Sequence, residues 1–325
     1  MLVGITYDLR DDYLKEGFGH EETAEFDKEE TIIHIENALQ HNGYQTERIG
    51  HVRSLAKKLV DGKKWDIVFN ISEGMYGLAR EAQVPCLLDA YNIPYVFSDG
   101  VVLGLTLHKG LTKRIIRDAG LPTPDFAVVE SIEDVNDIKL QYPLFAKPVA
   151  EGTGKGISGL SKISSPEQLK EVCSMLLKKF KQPVLVERFL PGREFTVGIV
   201  GTGRKTRAIG LMEVVYRENE KTKIYSLENK ENYENYIDYS VPEESVAKLC
   251  FELTEKCWKV LSCRDGGRID IRMDENGILN FIEVNPLAGM NSIHSDLPIL
   301  SRFAGISYEE LIKMIMDSAV ERLNN

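Results

Sequence analysis

The stretch RIDIRMDENGILNFIEVN, residues 268–285, alternates polar and apolar side chains and is interrupted once, at Asn276-Gly277. Asn-Gly is the strongest short hairpin signal, because a type I′ turn needs two residues that tolerate positive φ. Folding there predicts a register with Glu275 opposite Ile278, Asp270 opposite Glu283 and Arg268 opposite Asn285. Period-two alternation then puts Arg268, Asp270, Glu283 and Asn285 on one face, with Ile269, Ile271, Met273, Ile282 and Val284 on the other. Two carboxylates opposed across a strand pair lie about 5 Å apart at Cβ, where like charges repel. With an amide beside them they make a set of hard oxygen donors. Magnesium takes such donors and shares the rest of its shell with waters and nucleotide phosphates. The pattern also describes the solvated outer face of an edge hairpin. Against that, FIEVN runs straight into PLAGMNSIHSDLP, a turn-rich polar segment that brings more donors beside the carboxylates. Arg268 is a candidate anion clamp, since its fork suits phosphate oxygens.

The rest of the chain sets the bounds. At 325 residues it is long enough for two or three domains, and 43% hydrophobic with 28% charged residues is ordinary for a globular protein. A net charge of -10 argues against nucleic acid or an anionic membrane as the main partner. No apolar run approaches the roughly 18 residues of a membrane span, and MLVGITYD does not read as a signal peptide. The five cysteines are scattered, odd in number and without metal-ligand spacing. They read as reduced, mostly core residues of a cytoplasmic protein.

Strand and helix signals alternate over the first hundred residues. LVGITYD and WDIVFNI read as strands, KEETIIHIENALQHNG as a helix closed by Gly43, REAQVPCLLDAYN as a helix and IPYVFS as extended chain. That order predicts a parallel sheet with helices on both faces. The acidic stretch from Arg10 to Phe26 reads as a long loop, either functional or disordered. A helix ends at Gly120, where LPTP stops it. Then come the strand PLFAKPV, the glycine loop EGTGKGISG, a helix over SPEQLKEVCSMLLKK and the strand VLVERF. Residues 194–215 read as paired strands and 217–240 as a large polar loop. A helix spans roughly 243–261, and a last helix starts at the capping box Ser307-x-x-Glu310.

Three more constellations carry chemistry. EGTGKGISG lets backbone N–H groups approach an anion closely, although it is not a P-loop and alone reads equally as a flexible loop. Lys147 ends an apolar strand, where a cation is costly without an anionic partner. Lys109 opens a helix, where it could also be a surface lysine. In VLVERFLPGREF, Glu187 ends a strand and Glu194 follows a Pro-Gly turn. Such a strand edge can bind an adenine rim, and a carboxylate can bind ribose hydroxyls. The same glutamates read as surface groups flanking a turn. His294 is the nearest histidine to the hairpin motif, and no serine or cysteine elbow accompanies it.

In order and spacing these segments resemble the ATP-grasp ligases, most closely the D-alanine–D-alanine ligase family, most densely from Gly104 to Asp296. The matching stretches are HKGLTKRIIRDAGLPTP, FAKPVAEGTGKGIS, VLVERFLPGREFTV, the hairpin, and EVNPLAGM. The resemblance implies an α/β chain, α+β toward its C-terminus, with three-domain ATP-grasp architecture. Residues 1–104 would be a Rossmann-like substrate domain, 105–183 the central subdomain and 184–325 the C-terminal subdomain with the metal site. Lys109, Lys147, Gly152 and Gly154 would contact ATP phosphates. Glu187, Arg188, Phe189 and Leu190 would hold adenine, and Glu194 the ribose. Asp270, Glu283 and Asn285 would bind two magnesium ions, which answers the carboxylate repulsion. Arg268 and the Gly289 backbone would stabilise a tetrahedral intermediate. Lys230 matches a phosphate-binding lysine on a mobile loop, Thr153 a glycine-loop serine, and Ser295 a residue on the second substrate's carboxylate. The implied chemistry activates a carboxylate as an acylphosphate for attack by an amine, as in peptidoglycan precursor synthesis. Small amino acids would be the substrates and a homodimer the assembly.

The chain also departs from the family. Thr153 replaces a serine, Glu231 a tyrosine, and Glu73-Gly74 a histidine–glycine turn. The family's glutamate near the first helix has no clear match, with Asp27 and Glu30 nearby, and N-x-x-P-G-M becomes N-P-L-A-G-M. All of these touch substrate recognition. Two added carboxylates, Glu73 and Glu231, favour a substrate with a cationic or free amine group over plain D-alanine, unless Arg80 neutralises Glu73. Other amino-acid or natural-product substrates therefore stand beside D-alanine. A catalytically inactive nucleotide-binding protein is the reading from a different class, and the intact metal and lysine positions speak against it. Residues 151–159 and 217–240 are expected to be loosely held without nucleotide.

Overall fold

The computed structural model describes residues 1–217 and 237–323. Strands β1 (Leu2–Thr6), β2 (Gln45–Gly50) and β3 (Ile67–Asn70) form a parallel sheet in the order β2-β1-β3, with an isolated parallel bridge from Val68 to Tyr95. Ile67 and Phe69 pack with Ile32 and Ile35 of the helix Glu29–His41, while Val68 packs with Leu55 and Leu59 of the helix Val52–Val60. Alternate residues thus serve opposite layers, as expected for a sheet covered on both faces. The sequence reading passes over β2, whose QTERIG buries only Ile49 because it is an edge strand. The acidic stretch after β1 contains a helix, Arg10–Lys15. Its end is fixed by Arg10, which donates to the carbonyls of Thr23 (3.1 Å) and Ala24 (2.6 Å).

Strands β4 (Phe126–Val129), β5 (Leu144–Pro148), β6 (Lys162–Ile163) and β7 (Val184–Arg188) form an antiparallel sheet in the order β4-β7-β5-β6. The helix Pro166–Phe180 covers it with Leu169, Val172, Cys173 and Leu176. A third sheet contains β8 (Glu194–Val200), β9 (Arg207–Tyr216), β10 (Ile237–Ser240), β11 (Gly266–Met273) and β12 (Leu279–Asn285) in the order β10-β9-β8-β11-β12. Cys250, Leu253, Cys257 and Trp258 of the helix Glu244–Val260 pack against it. β10 corrects the sequence reading, which gave all of 217–240 to a loop. Ile237–Ser240 pairs antiparallel with Glu213–Tyr216, and Ile237 is buried.

The hairpin forms, but not with the expected turn. Asp274 N–H bonds the carbonyl of Ile278, and the Asp274 carboxylate accepts from the N–H groups of Asn276 and Ile278. Only Gly277 in this loop has positive φ (77°), so the connection is a three-residue loop and not a type I′ pair. That shifts the near end by one residue, pairing Met273 with Leu279 and Ile271 with Phe281. A one-residue slip would turn Glu283 into the core. A bulge beside Asp270 restores Asp270 opposite Glu283 and Arg268 opposite Asn285. Phe281 is thereby buried, and Ile282, expected on the apolar face, lines the same cleft as Glu283.

The C-terminal helix Tyr308–Leu323 starts at the expected capping box, with reciprocal Ser307–Glu310 bonds of 3.0 and 3.2 Å. Its Leu311, Ile315 and Ala319 share one core with Val3, Ile5 and Phe69, so both ends of the chain meet there. All five cysteines are free, Cys86 exposed and the other four buried. Among the described residues no helix is long and apolar enough to cross a membrane.

Candidate active site

The face that the hairpin register creates is the floor of a cleft between the second and third sheets. Arg268 is 7% exposed; its guanidinium donates to Asp270 at 2.6 Å and lies 3.6 Å from Asp296. Burial works against its charge, but Asp270 and Asp296 outweigh that and raise its pKa. Thr196 on β8 donates to the other side of the pair, Oγ1 to Asp270 at 2.9 Å. Across the ladder, Glu283 accepts from Lys147 Nζ at 3.1 Å, with Lys109 Nζ 4.0 Å away. Lys147 also lies 3.5 Å from Glu187. Burial would lower Lys147, yet Glu283 and Glu187 prevail and raise it, whereas Lys109 is lowered by burial despite Glu283.

Glu187 corrects one expectation and exposes a residue that the sequence did not reveal. Its carboxylate is buried against Lys113 (2.8 Å) as well as Lys147, and Lys113 is fully buried. Those lysines overcome burial and lower the Glu187 pKa. The Glu187 side chain therefore orients cations, and what it offers a ligand in the cleft is its backbone. Phe189, Leu190, Phe145, Ile157 and Ile282 give the cleft an apolar wall. Arg272 and Lys162 stack on Phe189, 5.1 and 4.4 Å from the ring centre. Arg188 pairs outward with Glu275. Glu194 accepts from Tyr216 (2.6 Å) and Arg272 (3.0 Å) at the cleft's end.

The glycine loop closes the cleft from above. Thr153 (φ 53°), Gly154 (75°) and Gly156 (75°) are left-handed, and a Cβ at Gly156 would come within 2.6 Å of Pro148. Glycine is required there. The loop is tied down more firmly than expected, by Glu25 from the acidic stretch. Glu25 accepts from the Gly152 N–H and from Arg80 at 2.7 Å, and lies 3.2 Å from Lys155. Arg80 also donates to the Ala150 carbonyl at 2.8 Å, and Lys155 pairs with Glu151 at 2.6 Å. Glu25, and neither Asp27 nor Glu30, is thus the glutamate that reaches the site: Glu30 is exposed, and Asp27 is hydrogen-bonded by Thr31. Beneath the loop, Glu73 and Glu81 line a second cavity that also reaches Thr153, Arg268, Glu283 and Asn285.

The segment after β12 is fixed from several sides. Tyr308 donates to the Met290 carbonyl (2.8 Å), Asn291 Nδ2 to Thr31 (3.1 Å), and the Asn291 N–H to Ser295 Oγ (3.0 Å). Gly289 is exposed, and a Cβ there would come within 2.8 Å of Ser295 Oγ. Gly289 and Ser295 are therefore neighbours beside the Arg268–Asp296 pair. Lys230 and Glu231 lie outside the described residues. Glu25, Glu81, Lys113 and Thr196 are site or supporting residues that sequence reading missed, and Arg80, weighed there as a partner for Glu73, bonds Glu25 and the Ala150 carbonyl instead. Of those missed, only Lys113 gave a signal, as a cation on the buried stripe of KGLTKRII.

Comparison with known proteins agrees with this geometry. Residues 115–317, more than half of the chain, match the family model for the D-ala D-ala ligase C-terminus. D-alanine–D-alanine ligase from Aquifex aeolicus is 33% identical over 87% of this chain and 92% of its own length. The corresponding Geobacter sulfurreducens ligase is 30% identical over 87% and 86%. An uncharacterised protein from Sinorhizobium fredii is 31% identical over 79% and 75%. The crystal structure of D-alanine–D-alanine ligase from Bacillus anthracis complexed with ATP superposes with a TM-score of 0.75, at 23% identity, covering 99% of this chain and 98% of that one. The protein belongs to the D-alanine–D-alanine ligase family and is an ATP-dependent ligase.

Proposed function

We propose that the chain activates the carboxylate of one small amino acid with ATP and joins it to the amine of a second. The observation that carries this reading is the convergence of Lys109 and Lys147 on Glu283 and of Arg268 on Asp270, in two adjoining cavities that share Glu283 beneath a glycine loop. Adenine fits against Phe189, Leu190 and Ile282, ribose at Glu194, and the phosphates reach Lys147, Lys109 and the Gly152–Gly154 backbone. The γ-phosphoryl passes to a carboxylate oxygen, giving an acylphosphate and ADP. The second amine then attacks the acyl carbon, phosphate leaves, and the amine releases its proton. In-line transfer of this kind depends on positioning and charge neutralisation more than on a covalent nucleophile.

Asp270, Glu283 and Asn285 suit magnesium by their donor chemistry. They offer two carboxylates and an amide, all hard oxygens, and no group of three His, Cys, Asp or Glu among the described residues forms a cage by itself. Magnesium favours such incomplete protein shells, completed by water and phosphate. When bound, it would neutralise charge on the phosphates. The same reading gives Arg268 and the Gly289 N–H the developing oxyanion, and Ser295 the second substrate's carboxylate. Arg268 is already desolvated and clamped between Asp270 and Asp296, so it needs no rearrangement. D-alanine is the first substrate to try, because the curated relatives carry that name.

The test is phosphate release from ATP with amino acids added singly and in pairs, with product masses read afterwards. Release that depends on an amino acid and yields a dipeptide mass is the expected result. In Glu283→Gln, turnover should fall by orders of magnitude while an ATP analogue still binds. Release indifferent to every amino acid, or wild-type turnover in Glu283→Gln, would overturn the reading.

A further inference from the structure

The cavity beneath the glycine loop is lined by Lys109 and Arg268, yet two of its carboxylates, Glu73 and Glu81, have no ion pair among the described residues. Three carboxylates project from the N-terminal part of the chain: Glu25, Glu73 and Glu81. Glu25 is matched by Arg80, Lys155 and the Gly152 N–H. Arg80 gives one nitrogen to Glu25 and another to the Ala150 carbonyl, so its charge acts on its sequence neighbour Glu81 without a direct ion pair. Among the described residues no Lys or Arg nitrogen lies within 4.0 Å of Glu73 or Glu81 in an ion pair. Yet Glu81 is only 9% exposed. Glu81 lines the cavity, and its side chain hydrogen-bonds the Glu73 carboxyl.

Isolated buried carboxylates are costly unless a cation or a proton compensates them. Before a ligand arrives the proton serves. Burial raises both groups: Glu73 well above its ordinary value, with the charges of Glu81 and Glu25 adding to it, and Glu81 to about 7, with the Arg80 charge opposing burial and Glu25 adding to it. The cavity is also walled by Lys109, Arg268, Glu283 and Asn285, where the proposed chemistry occurs. A molecule lying between those walls has its reacting carboxylate at one end and Glu73 and Glu81 at the other.

We infer that Glu73 and Glu81 receive a cationic group of the amino-acid substrate, and that the preferred substrate is an amino acid with an ammonium or guanidinium side chain. A neutral zwitterion brings one ammonium to two carboxylates that have no ion pair of their own, while Lys109 and Arg268 face its carboxylate. A net-cationic amino acid restores the balance and keeps its carboxylate free for activation. This inference rests on the ligase reading and deepens it.

The experiment measures ATP-dependent phosphate release with alanine, ornithine, lysine and arginine, in both enantiomers, for wild type, Glu81→Gln and Glu73→Gln. Binding of an ATP analogue and the thermal midpoint are measured alongside, so that a folding defect is separated from a recognition defect. A basic amino acid should show kcat/KM at least tenfold above that of alanine in the wild type. Each glutamine variant should raise KM for it tenfold or more, with kcat changed less. The inference is overturned if alanine is used as well as or better than every basic amino acid. It is equally overturned if both folded variants keep the wild-type KM for the basic substrate. Absence of release with every amino acid, while the analogue still binds, would sink the ligase reading and the inference with it.

Discussion

Glu187 shows how one carboxylate organises a site that it does not chemically serve. It holds Lys113 at 2.8 Å and Lys147 at 3.5 Å, both buried. Removing one member of a buried ion pair leaves an uncompensated charge, which costs about 3–5 kcal/mol. Glu187→Gln should therefore lower the stability from urea unfolding by about 3 kcal/mol and raise KM for ATP as Lys147 loses an anchor. An unchanged midpoint would show that Lys113 finds another partner. The acidic cavity makes a second demand. Glu81 titrates near 7 when folded, against an ordinary 4.5. A carboxyl raised on folding gives stability that is full below its unfolded pKa and is lost as pH rises through the folded one. The ligand-free midpoint should thus fall between about pH 4.5 and 7, and the fall should be shallower in Glu81→Gln. Identical slopes would remove Glu81 as a contributor. Lys109 and Lys147 were legible because charged groups at a helix start or at the end of an apolar strand demand an explanation, and Asp270 because the hairpin register sets it against Glu283. Glu25 was not, since its contact with Gly152 spans 127 residues and no local pattern encodes it.

At the level of elements, alternation in residues 268–285 was enough to place Asp270 against Glu283, but not to predict how the chain gets there. Asn276-Gly277 suggested a two-residue turn, while Asp274 hydrogen-bonds the loop from inside and selects a three-residue one. The bulge that follows cannot be read from alternation, because it breaks alternation. Its effect can be tested. With Ile282 on the cleft face, Ile282→Asp should leave the thermal midpoint within a few degrees and raise KM for ATP tenfold or more. Under the register first expected, Ile282 would be in the core, and the same change would unfold the protein through an unpaired buried charge. Loss of folding in Ile282→Asp would therefore restore the simpler hairpin. β2 and β10 escaped detection for a related reason: edge strands bury few residues, so their polar composition looks like loop.

Across the whole molecule, the N-terminal sheet is bound to the cleft of the candidate site both through the core and over its roof. Val3 and Phe69 share a core with Leu287, Met290 and Ile315, so the N-terminal sheet is packed against the segment that follows β12. Over the roof the joint is polar and small: Arg80 to Ala150 and Glu25, Glu25 to Gly152 and Lys155, and an outer pair from Lys179 to Glu21 at 2.7 Å. Glycine-rich segments open locally when few contacts hold them. These contacts instead hold the loop without nucleotide, against the expectation from its composition. Arg80 is the centre of the joint, since it alone bonds both Glu25 and the backbone at Ala150. In the wild type without nucleotide, the amides of 151–159 should exchange slowly, Gly152 most of all. In Arg80→Ala, Glu25 loses its closest cation and the loop its backbone tether, so exchange there should accelerate at least tenfold while the core strands keep their rates. ATP analogue should restore part of the protection by engaging Gly152 and Gly154 directly. If exchange in 151–159 is already fast in the wild type, or unchanged in Arg80→Ala, then the glycine loop is held by nucleotide alone and the N-terminal joint plays no part in closing the site.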